Sequence, residues 1–110
     1  LTFTLNQILG CEVLNGPDYF LKQTGLLNKL KKYDIGIFCE GKFDESSLKG
    51  KIIGELLSDF KGDSYFLGGQ YKAKEKFFKY TFECGVEGLD QPKLSLSKAT
   101  KELIKILQMD

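Results

Sequence analysis

The residues Asp34-Ile-Gly-Ile-Phe-Cys39, followed by Glu40-Gly-Lys-Phe-Asp44 and a long amphipathic stretch, constrain the fold of this chain more than any other feature. The first run is short, apolar and rich in large side chains, and it reads as a buried strand. Residues Glu40 to Asp44 read as the turn after it. From Glu45 to Phe60 the apolar residues Leu48, Ile52, Ile53, Leu56, Leu57 and Phe60 make one stripe. Their spacing predicts a single α-helix of about four turns. Asp44 or Ser46 is its natural N-cap, and Lys61-Gly62 closes it.

The flanking segments extend the pattern. Ser64 to Leu67 reads as a second short buried strand, ended by a Gly68-Gly69 turn. Phe78, Tyr80, Phe82 and Cys84 then alternate with Lys79, Thr81 and Glu83, which predicts a strand with one wet face and its aromatic residues inward. Upstream, Leu1 to Gly10 does not separate helix from strand, and Cys11 to Leu14 reads as a short strand. Pro17 suits the first turn of a helix that runs toward Leu30, interrupted at Thr24-Gly25. Gly85 to Pro92 reads as loop. Ser97 caps a last helix with Ala99, Leu103, Ile104 and Leu107 inward.

The order helix, strand, helix, strand, strand, helix predicts a three-layer α/β/α domain with a mainly parallel sheet, of flavodoxin or Rossmann type. Gly68 and Phe78 are only about ten residues apart, at the lower limit for a parallel crossover. Residues 77–84 are therefore expected as an edge strand, either parallel or antiparallel to its neighbour.

Composition narrows the chemistry. With 110 residues, 42% of them hydrophobic, the chain has the balance of one globular domain. Its net charge of +1 gives no global pull toward nucleic acid or an anionic membrane. Histidine is absent, which excludes Ser-His-Asp and Cys-His catalysis and any His-ligated zinc within the chain. All 16 positive residues are lysine, so no guanidinium fork is available to clamp an anion. Cys11, Cys39 and Cys84 form no C-x-x-C pair and read as reduced core thiols of a cytoplasmic protein. No apolar run approaches the ~20 residues of a membrane span. The chain opens at Leu1 inside sequence that reads as structured, and is expected to be a fragment.

In open α/β sheets, ligands sit at the carboxyl ends of the strands. Cys39 to Lys51 places Glu40, Asp44, Ser46, Ser47 and a helix N-terminus within one strand-to-helix turn. Unpaired N–H groups there suit an anion, and carboxylates with hydroxyls can hold Mg²⁺ through water. Lys51, about one and a half turns into the predicted helix, reaches an anion if it snorkels back. Gly68 and Gly69 form a second ligand-facing loop in which the backbone can approach closely. Spacing alone favours a plainer reading: an N-cap, a dipole-complementing Glu45 and solvent-facing lysines. The Gly and Lys spacing of a Walker A loop is missing. Lys72, Lys74, Lys76 and Lys79 beside Phe77 and Phe78 read as a solvated edge and not as a nucleic-acid surface.

The stretch from Asp34 to Lys51 resembles a signature of the bacterial glycerate kinase family, in which a buried strand leads into Glu-Gly-Arg-Leu-Asp-x-Gln-Ser/Thr-x-x-Gly-Lys. Glu40, Gly41, Asp44, Ser47, Gly50 and Lys51 match in register, while Lys42 and Ser46 stand where the family carries Arg and Gln. Leu9 to Gly16, Asp18 to Leu21, Gly25 to Leu30 and Leu94 to Leu107 are similar to the family's flanking segments. The resemblance implies a two-domain enzyme of which residues 1–110 form the C-terminal α/β part, with its partner the missing N-terminal domain. It implies transfer of the ATP γ-phosphoryl group, with Mg²⁺, to a hydroxyl of D-glycerate, and an isolated chain that is inactive. Under it, Asp44 and Lys51 are the catalytic candidates. Glu40, Gly41, Ser47, Gly50, Gly68 and Gly69 bind substrate or phosphate, and Glu40 and Asp44 are candidate magnesium ligands. The alternative is a non-catalytic binding or interaction module of the same fold. A receiver domain is disfavoured, because no strand ends in an acidic pair.

Overall fold

The computed structural model describes residues 1–109. Helices α1 (Thr2–Gln7), α2 (Gly16–Thr24) and α3 (Leu26–Leu30) lead into strand β1 (Ile35–Phe43). A 3₁₀ turn (Glu45–Leu48) and helix α4 (Ile52–Asp59) connect it to β2 (Asp63–Tyr71). Then come β3 (Tyr80–Glu83), the one-turn helix α5 (Glu87–Asp90) and α6 (Pro92–Met109). The strands form one sheet in the order β1-β2-β3, with both pairings parallel. The α/β class with a parallel sheet therefore holds. Among the described residues no helix is long and apolar enough to cross a membrane.

The strand expected at the sheet edge over 77–84 is β3, at the edge as expected, and it runs parallel to β2; the antiparallel alternative is not what the sheet adopts. Tyr80 pairs with Tyr65, so after Tyr71 the chain must return about six residues along the sheet, roughly 20 Å. Lys72 to Lys79 supplies eight residues, a length of chain that can span up to ~26–29 Å and so leaves room for the bends at 74–75 and 78–79. No helix is needed for that return. Hydrogen bonds tie the segment at both ends: Lys72 N–H donates to Phe43 O and Lys79 N–H to Ser64 O. In passing it lays Phe77 and Phe78 over the sheet face that a crossover helix would otherwise cover.

Two cores result. On one face Phe38, Phe43, Phe60, Phe66 and Phe78 form an aromatic cluster with Leu48, Ile53, Leu56 and Leu57 around it. On the other, Tyr65 and Phe82 pack against Ala99 and Leu103 of α6. Phe78 and Phe82 thus lie on opposite faces, because Phe78 still belongs to the crossing segment. β1 is buried on one face only: Phe38 joins the cluster, while Ile35 and Ile37 are exposed at the sheet edge. Ile104 is 46% exposed and not inward as its spacing suggested. Cys11 and Cys39 are exposed and are not core residues, while Cys84 is half-buried against the second core. α6 begins at Pro92, five residues before the expected Ser97 cap, since Pro fits a first helical turn. Cys11 to Leu14 pairs with nothing in the sheet, and α1 occupies the stretch the sequence left undecided.

The two longer strands share one irregularity. Phe38 and Phe43 stand five residues apart in β1, yet both enter the aromatic cluster. Phe66 and Tyr71 in β2 do the same. Strict alternation would send one of each pair to the opposite face. Pairing runs from Ile35–Asp63 to Glu40–Gly68 and resumes at Lys42–Gln70. The side-chain pattern resets in both strands at that step, where Gly41 and Gly69 lie opposite each other.

Candidate functional site

β1 does not stop at Cys39. It continues through Glu40, Gly41 and Lys42 to Phe43, so the expected turn at 40–44 becomes strand. Likewise Gly68 and Gly69 lie inside β2 and form no loop. Close packing of the strands explains the glycines. A Cβ on Gly68 would collide with Glu40 O and the Phe66 ring, and one on Gly69 with Gly41 O.

The single helix expected over 45–60 is broken. Leu48 and Ile52 are four residues apart and stay in helical phase, which hides the break from a periodicity count. Gly50 lies between them with φ +65°, a left-handed conformation that glycine adopts without cost. The turn before it closes with a reciprocal cap. Asp44 Oδ1 accepts from Ser46 N–H at 2.9 Å and from the Ser46 hydroxyl, while Asp44 N–H donates to Ser47 Oγ at 3.2 Å. Ser47 is fully buried, and its hydroxyl also reaches Lys42 O at 3.5 Å. Lys51, expected inside a helix, stands instead at the N-cap position of α4 with no side-chain cap bond.

Two clefts flank the end of β1. The first, of about 740 Å³, is lined by Gly16, Pro17, Glu40, Gly50, Lys51 and Ile52 among others. The second, of about 860 Å³, lies between the strands and α5–α6, and includes Glu40, Gly41, Gly68, Gly69 and Gln70. Glu40 lines both. The structure therefore brings Glu40, Gly41, Gly50, Lys51, Gly68 and Gly69 to cleft walls. Asp44 and Ser47 line neither cleft and are engaged in the cap. Sequence reasoning missed the outer walls: Gly16-Pro17 read only as a helix start, and Gly88, Leu89 and Pro92 only as loop.

Among the described residues, no three His, Cys, Asp or Glu side chains gather as a metal cage. Mg²⁺ is often held by one or two carboxylates with substrate phosphates and water completing its shell. Glu40, a carboxylate in a cleft, fits that arrangement. Asp44 lines neither cleft; its Oδ1 accepts from Ser46, and its Oδ2 lies 3.9 Å from the Lys42 ammonium.

The turn is also an acid-sensitive element. The Ser46 hydroxyl is the main influence holding the Asp44 carboxyl below its ordinary 3.8; desolvation opposes it, and the Ser46 N–H and Lys42 add weaker lowering. Glu45 is lowered from 4.5, chiefly by the Lys74 N–H, whose bond to Glu45 Oε1 is 2.9 Å. A depressed folded pKa contributes stability above the unfolded value and loses it as pH falls through the folded one. Thermal midpoints measured between about pH 5 and pH 2 should fall, and fall less steeply in Asp44→Asn. Equal slopes in the two proteins would remove Asp44 from this role.

Neither a curated protein nor a solved structure matches the chain significantly. Residues 1–108, nearly all of its length, do match the profile of the glycerate kinase family. The chain therefore belongs to the glycerate kinase family.

Proposed function

We propose that this chain forms one wall of a kinase cleft that transfers the ATP γ-phosphoryl group to a hydroxyl of D-glycerate. The carrying observation is the position of Glu40, where two clefts meet at the carboxyl end of a parallel sheet. Lys51 and the first residues of α4 line one side of that junction. Phosphoryl transfer depends on positioning and charge neutralisation more than on covalent help. Lys51 neutralises phosphate oxygens, and Gly50 lets the backbone bend close to them. Glu40 orients the substrate hydroxyl or holds Mg²⁺ delivered with the nucleotide, which when bound offsets phosphate charge. Asp44 and Ser47 act on the same chemistry as positioning residues, by fixing the turn between Glu40 and Lys51. Gly41, Gly68 and Gly69 keep the strand ends flat beside Glu40.

Under this reading the chain is the C-terminal part of a two-domain enzyme, and the opposite wall belongs to the N-terminal domain. The three free cysteines accord with a reducing, cytoplasmic setting. ADP release by the two-domain enzyme, with ATP, Mg²⁺ and D-glycerate supplied, tests the reading. Glu40→Gln and Lys51→Ala should each lower kcat by roughly 100-fold or more, the scale of losing one transition-state contact. Turnover unchanged in both variants would refute it.

A further inference from the structure

The sheet has two edges, and they differ in protection. β3 is four residues long, ends in Glu83 and is preceded by Lys79. Short, charged edges resist pairing with another strand. β1 is nine residues long, and Ile35 to Cys39 contains neither a charge nor a proline. Its outer side also carries the backbone groups for one more strand. Asp34 O accepts from Asp63 N–H, so by alternation the groups of Asp34, Gly36 and Phe38 point toward β2. Those of Ile35, Ile37 and Cys39 point away from it, and no backbone bond from another described segment reaches them. The Ile35 and Ile37 side chains, about half exposed, stand beside this edge on the face away from the aromatic cluster.

The charge pattern of the edge is self-complementary in one orientation. Lys31 and Lys32 precede the strand, and Glu40 lies toward its other end. Parallel pairing of two copies sets lysine against lysine and Glu40 against Glu40, which is unfavourable. Antiparallel pairing centred on Gly36 sets Lys32 opposite Glu40 and Ile35 opposite Ile37. Moving the centre to Ile37 opposes Asp34 to Glu40 and Lys32 to Lys42, like charges in both places. We propose that β1 pairs antiparallel with β1 of a second copy of this chain, about a two-fold axis at Gly36, joining two three-stranded sheets into one. Such a contact is isologous and closes at two subunits. Ile35 and Ile37 exchange backbone bonds with Ile37 and Ile35 of the second copy, and the four isoleucines meet on one face. Ile37 and Cys39 also line the first cleft, so the paired chain and one holding phosphate beside Lys51 are alternative states. The pairing does not depend on the kinase reading.

Sedimentation equilibrium of the 110-residue chain, without nucleotide, tests this. The paired edge is smaller than a standard interface, so the mass should climb toward twice the monomer's between about 10 µM and 1 mM. Ile37→Lys should weaken the dimer at least ~10-fold. Lys32→Glu should weaken it about 10-fold, and adding Glu40→Lys should restore it. Hydrogen exchange reads the edge itself: the Ile35, Ile37 and Cys39 amides should slow as concentration rises. Thermal midpoints identify any variant that fails to fold. A chain that stays monomeric across the series overturns self-pairing and leaves the edge to another segment or partner. A dimer whose Ile35, Ile37 and Cys39 amides exchange as fast as the monomer's uses another surface and overturns it as well. These results are separate from ADP release by the two-domain enzyme, which alone decides the kinase reading.

Discussion

Phe43→Ala is expected to cost about 3–5 kcal/mol of folding stability, a large share of the ~5–15 kcal/mol typical of a domain. Phe43 is fully buried and touches the rings of Phe66, Tyr71, Phe77 and Phe78 at centroid separations of 5.1–6.0 Å. Its position is what joins the crossing segment Lys72–Lys79 to the sheet. Removing the ring leaves a cavity between a strand and the crossing segment, whose Phe78 also packs against Phe38 and Phe66. Chemical denaturation measures the loss. Ile37→Ala is the matched control: Ile37 lies in the same strand but is 48% exposed, and its loss should be under ~1 kcal/mol. A Phe43→Ala cost as small as that of Ile37→Ala would mean that the crossing segment does not pack as described.

Gly68→Ala is the second large effect. Its Cβ would collide with Glu40 O, a backbone atom that a rotamer change cannot move. β1 and β2 must separate locally, at a cost of about 1–3 kcal/mol or more. Because the displaced carbonyl belongs to Glu40, the substitution should disturb the site as well as the fold. A lowered denaturation midpoint together with shifted amide resonances at Glu40 and Gly41 is the expected result. A variant as stable as wild type, with those resonances unmoved, would show that the strands are not so close.

Much of this architecture is legible in the residues because burial and periodicity act locally. The apolar run Ile35 to Cys39 marks a strand, and the stripe Ile53, Leu56, Leu57 and Phe60 marks the helix that covers one of its faces. Four features stay hidden for physical reasons. The apolar run does not report that β1 is an edge strand, with Ile35 and Ile37 left exposed. The phase of Leu48 and Ile52 survives the Gly50 break, so spacing cannot report it. Phe78 and Phe82 fall at even positions of one alternating run, yet a tertiary crossing sends them to different faces. Gly68-Gly69 carries the composition of a turn, but here the glycines admit the Glu40 and Gly41 carbonyls within a sheet.

The candidate site was legible in part, for a related reason. Residue types near a strand end mark where ligands bind, and Glu40, Gly50 and Lys51 do reach cleft walls. Side-chain spacing could not show that Asp44 and Ser47 are taken up by the cap. Nor could it show the walls contributed by Gly16-Pro17 and Leu89, which come from segments distant in sequence.

The central claim is that the junction at Glu40, between Gly41 and Lys51, receives the kinase substrates. Nitrogen-15 amide spectra of the chain titrated with ATP–Mg²⁺ test it most directly. The largest shifts should fall at Glu40, Gly41, Gly50 and Lys51, with α3 and the far end of α6 unmoved. Shifts confined to those distant elements, or none at saturating nucleotide, would contradict it.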